Sequence, residues 1–213
     1  IWTMMRDSPL WSPNTDPVVP KLAAAAKLGV TWQMAFLYAV TFGGFVAFST
    51  YLPTYLKDVY DFDLTGAGTR TAGFAIAAVI ARPVGGIVSD RVGPRAVMIV
   101  SLAGAAVMAI VIALKLPPEI PAGIAFVLMA VFLGLGTGAT FAWVAQLAPP
   151  AKVGTVTGIV GAAGGLGGYF PPLVMGATYD EQNHSYTIGL ILLSLTAVVT
   201  LAYTVFGIKK KTT

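Results

Sequence analysis

AGTRTAGFAIAAVIARPVGGIVSDRVGPR, residues 67–95, decides how this chain is read. Between 71 and 89 the only charged residue is Arg82, and the run ends abruptly in Asp90, Arg91 and Arg95. A helix needs about 20 apolar residues to cross a bilayer, and 67–89 supplies them. The rest of the chain has the same character. Of 213 residues 56% are hydrophobic and 10% charged, against roughly 25% charged in a soluble domain, and the mean hydropathy is +0.79. With 13 basic and 9 acidic residues there is too little charge to cover a water-facing surface, which excludes most soluble enzymes and binding modules. The same hydrophobicity excludes disorder. No cysteine and a single histidine, His184, exclude disulfide scaffolds, thiolate metal sites and thiol catalysis. No metal site or cofactor is expected, and a net charge of +4 is no nucleic-acid signal.

Working outward with the same ruler gives six spans, near 30–55, 67–89, 96–114, 122–148, 153–178 and 186–208. Short polar or proline-bearing connections separate them, among them KDVYDFDLTG, SDRVGPR, KLPPEIP, APPAK and YDEQNHS. The expected class is an all-α membrane protein with six transmembrane helices. Residues 1–29 form a linker with a short interfacial helix, 30–208 the membrane domain and 209–213 a basic tail. Basic residues sort by side. Arg6, Lys21, Lys27, Arg91, Arg95, Lys152, Lys209, Lys210 and Lys211 fall on the side of both termini, while Lys57, Arg70 and Lys115 fall on the other. The positive-inside rule then places both termini in the cytoplasm, in a multi-pass protein of the inner (plasma) membrane.

Arg82 stands apart from this sorting. It lies eight residues before Asp90, about 12 Å into the membrane at 1.5 Å per residue. A central arginine costs roughly 2.5–3.5 kcal/mol on insertion scales and cannot escape by deprotonating. Ala75, Ala78, Gly85, Gly86 and Ser89 share its helical face, whereas Ile76, Ile80, Val84 and Ile87 lie on the lipid side. Pro83 removes one helical hydrogen bond beside it. Two interpretations stay open at this point. Arg82 either snorkels or pairs with backbone carbonyls, or it is the fixed positive charge of an anion site. All nine carboxylates lie in loops or at span ends, so none is available inside a span to neutralise it.

The first span carries Tyr38, Phe42, Phe45 and Ser49 at i, i+4, i+7 and i+11, a stripe that suits either packing or the face of a flat ligand. The fifth carries VGTVTGIVGAAGGLGGYFPP at 153–172, with Gly154, Gly158, Gly161, Gly164, Gly165 and Gly168 expected along one face and Pro171–Pro172 breaking the helix near its end. Glycines at that density allow close helix approach in a bilayer and a sliding or rocking interface. GLGTGATF, 134–141, is a lesser version in the fourth span.

GGIVSDRVGPR, 85–95, resembles the G-x-x-x-D-R-x-G-x-R loop that follows the second helix of each six-helix half in major facilitator superfamily transporters. Asp90, Arg91 and Arg95 would there latch neighbouring helices in one state. The finer resemblance is to the nitrate/nitrite porter family. TGIVGAAGGLGGYFPP (157–172) is similar to its second glycine-rich signature, ARPVGG (81–86) to its eighth helix, and LYAVTFGGFVAFS (37–49) to its seventh. That resemblance implies Arg82 as one of two arginines clamping the anion, and Tyr38 and Phe42 as site-lining rings. Gly161 and Gly164 would lie on the signature helix at the anion, and Gly158, Gly165 and Gly168 at its moving interface. A serine of the family signature is replaced here by Gly161, which leaves the backbone as donor.

The resemblance covers residues 30–207 and implies that the chain is the C-terminal half of a twelve-helix transporter. The first residue, Ile1 rather than Met, is read as consistent with a fragment. The expected partners are nitrate and nitrite, the lipid bilayer and an N-terminal six-helix half, with no nucleic acid. The expected activity is nitrate/nitrite antiport by alternating access, since an exchanger needs no buried proton-carrying group. Proton-coupled nitrate uptake, another anion-transporting facilitator and a non-transporting membrane scaffold are the alternatives. An enzyme is not expected, because the spans hold no catalytic acid, nucleophile or metal cluster.

Overall fold

The computed structural model describes residues 17–118 and 120–208. The expectations for Arg6, for most of the 1–29 linker and for the 209–213 tail lie outside the described residues. Within them the chain is helical throughout: α1 (Val18–Ala26), α2 (Gly29–Tyr60), α3 (Leu64–Val92), α4 (Pro94–Ala113), α5 (Ile120–Leu147), α6 (Val153–Gly167), α7 (Phe170–Ala177) and α8 (Thr187–Ala202). A 3-10 turn at Pro150–Lys152 leads into α6, and a π-helical turn at Tyr203–Gly207 continues α8. Six helical stretches are long and apolar enough to cross a membrane, with α6 and α7 together making the fifth.

The connections are tighter than the hydropathy pattern implies. α2 runs to Tyr60, with Pro53 inside it, so Lys57 and Asp58 are helical rather than looped. It stops where Asp61 takes the left-handed conformation (φ 55°). Two residues later the Asp63 carboxylate caps α3, accepting the Gly66 N–H at 3.1 Å. Asp90 and Arg91 belong to the last turn of α3, and Arg95 to the first of α4. The turn between them is one residue, Gly93, at φ 90°, a conformation open to glycine and strained for other residues. Pro94 then starts α4 at a position where no N–H is needed. The expected loop at 89–95 is thus a helix–glycine–helix corner. On the fifth span Pro171 and Pro172 sit in the first turn of α7, so the break falls at Gly168–Tyr169.

Two hydrophobic cores stack along the bundle. One, at the near end where the described chain enters and leaves, gathers Met34, Leu37, Tyr38, Met98, Leu102, Trp143 and Val156. The other, at the far end, gathers Leu52, Tyr55, Phe74, Phe126, Met129, Tyr186 and Leu190. Phe42 packs against the near core and Phe45 against the far one, so this pair of rings marks the waist of the bundle. Around the outside Ile76, Ile80, Val84 and Ile87 are exposed, as their side of α3 predicts.

Candidate functional site

Tyr38, Phe42 and Phe45 project from one face of α2 because they are four and three residues apart. The Tyr38 and Phe42 rings stack at 4.9 Å with 9° between planes, and Phe42 and Phe45 follow at 6.0 Å and 39°. Phe141 of α5 meets the Tyr38 ring edge-on at 4.7 Å. From α6, Gly164 closes against the same rings. A Cβ there would run into Tyr38 and come within 2.8 Å of Phe42 Cδ1, so only glycine admits this approach.

Arg82 reaches this surface from α3. Its position is fixed by backbone contact between α3 and α5: a Cβ on Gly138 would strike the Arg82 carbonyl, one on Gly134 the Ala78 carbonyl, and one on Gly85 the Leu135 backbone. The side chain is half-buried, and its Cζ rests 4.8 Å from the Phe42 centroid and 4.6 Å from the Phe45 centroid. Such cation–π contacts contribute roughly 0.5–2 kcal/mol. They leave the polar edge unsatisfied. Nε and Nη2 are buried without a hydrogen-bond partner among the described residues. These two nitrogens flank the same edge of the guanidinium, the side that forks onto two oxygens of an oxyanion. Two more buried hydroxyls have no partner among the described residues: Ser89, on the face of Arg82, and Ser49, on the α2 stripe.

The structure thus brings Arg82, Tyr38, Phe42 and Gly164 together. Gly161 does not join them, since nothing lies within 4 Å of where its Cβ would be. The six glycines expected on one face separate onto two. Gly154, Gly158, Gly161 and Gly165 have open space beside them, whereas Gly164 and Gly168 press on α2, the latter with Val46 Cγ1 at 2.7 Å from a Cβ position. For Gly164 the reason is angular, since one residue from Gly165 is about 100° round the helix. Gly168 continues the i, i+4, i+7, i+11 spacing at i+14 but lies past the end of α6 at Gly167. Gly167, not singled out from the sequence, interlocks with Ala39 and Gly43. Asp90 and Arg91 are exposed. Arg95 Nη2 donates at 2.5 Å to the Val205 carbonyl inside the π-helical turn, and its Nε is buried without a hydrogen-bond partner among the described residues.

The family model described as Major Facilitator Superfamily matches residues 34–213. The chain belongs to the Major Facilitator Superfamily. Among relatives, it is 62% identical over 201 residues to a Mycobacterium tuberculosis protein named as a probable nitrate/nitrite transporter, NarK2, with 94% of this chain and 51% of that protein covered. It is 39% identical over 160 residues to a probable nitrate/nitrite antiporter, NarK1, of Thermus thermophilus, covering 67% of this chain and 36% of that protein. The resemblance to nitrate/nitrite porters carried by 37–49, 81–86 and 157–172 is borne out by these matches. Among solved structures, the xylose transporter XylE from E. coli, in an inward-open conformation, shares the fold with a TM-score of 0.63 at 16% identity, covering 89% of this chain and 48% of that one. The chain spans about half the length of the curated relatives it matches. In superfamily terms it is an all-α six-helix unit of a multi-pass membrane protein.

Proposed function

We propose that this chain is one half of a transporter that exchanges nitrate and nitrite across a membrane by alternating access. The observation that carries the proposal is the Arg82 guanidinium, laid on two aromatic rings at the waist of the bundle with Nε and Nη2 buried and unsatisfied. A buried N–H donor left without a partner is unfavourable by about 1–3 kcal/mol, and a singly charged, planar oxyanion satisfies both with two parallel hydrogen bonds. The names of the relatives support nitrate and nitrite as the anions. Arg82 supplies half of the clamp and its counterpart comes from an N-terminal six-helix half. That half seats against the open glycines Gly154, Gly158, Gly161 and Gly165. Between 71 and 89 no carboxylate or histidine accompanies Arg82, which favours exchange, because the returning anion resets the site.

In this scheme the anion neutralises the arginine charge that holds the two halves apart, and the halves then rock around it. Lys21, Lys27, Arg91, Arg95 and Lys152 lie at the near end and Lys57, Arg70 and Lys115 at the far end, so the near end faces the cytoplasm across the plasma (inner) membrane. Counterflow tests the proposal. The complete two-half protein, in proteoliposomes loaded with nitrite, is expected to accumulate labelled nitrate without an imposed proton gradient. Accumulation that requires a proton gradient would replace exchange by symport, and accumulation of neither anion would overturn the assignment.

A further inference from the structure

The sequence and its resemblance single out Tyr38 and Phe42, but the geometry gives Phe45 an equal place under the guanidinium. Arg82 Cζ is 4.8 Å from one ring centroid and 4.6 Å from the other, and the two centroids are 6.0 Å apart. A cation sandwiched between two rings would hold them about twice its own distance apart. The observed triangle instead puts both rings on one side, as a two-panel floor. Each panel is backed separately. Phe42 is stacked by Tyr38 and hemmed by Gly164. Phe45 lies parallel to Phe74 at 6.1 Å and 3°, and Phe74, itself 1% exposed, is stacked in turn by Phe48.

We propose that Phe45, backed by Phe74, is a positioning residue that fixes the plane of the Arg82 guanidinium and so selects planar over pyramidal oxyanions. The inference rests on the nitrate reading of the site. With its backbone pinned against Gly138, Arg82 keeps only its side-chain torsions free, and a ring face is the surface against which a guanidinium plane settles. An oxyanion held by the Nε/Nη2 edge binds two oxygens in the guanidinium plane. A planar anion then lies wholly above the aromatic floor. A pyramidal one, chlorate for example, has to direct its third oxygen either into the rings or away from any donor. Replacing the Phe45 panel by an aliphatic chain keeps the bulk but removes the flat face, so the fork tilts and the advantage of planarity is lost.

The test is initial-rate exchange in proteoliposomes by the complete transporter carrying Phe45→Leu, Phe45→Met or Phe45→Tyr, with nitrate and chlorate as competing probes. Phe45→Leu and Phe45→Met are expected to raise the nitrate KM about tenfold, equivalent to ~1.4 kcal/mol, with Vmax held within about twofold. The nitrate-over-chlorate preference should fall by a similar factor. Phe45→Tyr, which retains the ring face, is expected to restore both. An unchanged KM and preference in the aliphatic variants would overturn the proposal, as would equal impairment by Phe45→Tyr. If neither aliphatic variant folds, the ring is a structural part of the bundle and the proposal also fails. Absence of nitrate exchange by the unsubstituted transporter is a different result, and it overturns the nitrate reading along with this inference.

Discussion

At the far end of the bundle the Asp58 carboxylate accepts a 2.5 Å hydrogen bond from the Tyr186 hydroxyl, whereas at the waist two nitrogens of Arg82 find no partner among the described residues. Both are half-buried charges beside aromatic rings, and the surroundings of Asp58 are closed on themselves. Tyr186 is 2% exposed and stacked by Tyr179 at 4.5 Å, and the Tyr179 hydroxyl meets His184 Nδ1 at 3.1 Å. Lys115 Nζ donates to the Asn183 and His184 carbonyls at 2.9 and 3.1 Å. Asp180 accepts from the Asn183 side-chain amide at 2.8 Å and from the Gln182 and Asn183 backbone. That network clasps the α7–α8 connection to α2 and to the chain after α4, and its hydrogen bonds fall within the protein. The Arg82 site has the same ingredients with its polar edge left over. The Asp58 carboxylate is satisfied within the protein, whereas Arg82 keeps two buried donors open, which the proposed anion would satisfy.

Substitutions can break this contrast, beginning with the largest expected effect. Arg82→Lys keeps the charge but loses the planar fork, so nitrate exchange should fall at least about hundredfold, while the thermal midpoint of the purified protein holds. A parallel loss of thermal stability would make Arg82 a structural residue like Asp58. Next comes Gly138→Ala, which forces a methyl onto the Arg82 carbonyl and within 2.8 Å of the Gly86 nitrogen. Overpacking of this kind destabilises by roughly 1–3 kcal/mol, visible as a lowered melting temperature. Gly158→Ala, where nothing lies within 4 Å, should leave that temperature unchanged or slightly raised, yet slow exchange if the partner half packs there.

Tyr186→Phe strands the Asp58 carboxylate. A hydrogen bond to a charged group contributes about 1.5–3 kcal/mol, so thermal stability should drop by an amount near the lower figure while the nitrate KM stays put. A changed KM would join the far-end clasp to the transport site. The smallest effect concerns Asp180, whose carboxyl is held below the ordinary carboxylate range chiefly by the Asn183 side-chain amide. A depressed pKa adds stability that is complete above the unfolded value and disappears as pH falls through the folded one. Melting curves of Asn183→Ala should therefore lie slightly below those of the unsubstituted protein at pH 6–8, the gap closing in acid. A gap that widens in acid would contradict the assignment.

The contrast also explains what could be read from the chain alone. Six spans were legible because a bilayer imposes a length and a hydropathy on every one of them. Their ends were less so: the helices run on through charged residues such as Lys57, Asp58, Asp90 and Arg91, and stop at single backbone features, Asp61 and Gly93 with positive φ. Arg82 was conspicuous as the one charge in 71–89. Its floor was half legible, because Phe45 lies in the same stripe as Phe42, but packing and binding look alike at that spacing. The two glycine faces were merged because positions 161, 164 and 165 are close in sequence and diverge only in angle. Asp58–Tyr186 and Arg95–Val205 join residues 128 and 110 positions apart, and no local pattern announces contacts at that separation.

Nitrate binding to the purified complete transporter, followed as a nitrate-dependent rise in melting temperature, tests the central claim most directly. A ligand at about 100 times its Kd stabilises the folded state by ~2.7 kcal/mol. The unsubstituted protein should show that rise with nitrate, and Arg82→Lys should show none at the same concentration. An Arg82→Lys protein whose melting temperature climbs with nitrate as steeply as that of the unsubstituted one would place the anion elsewhere.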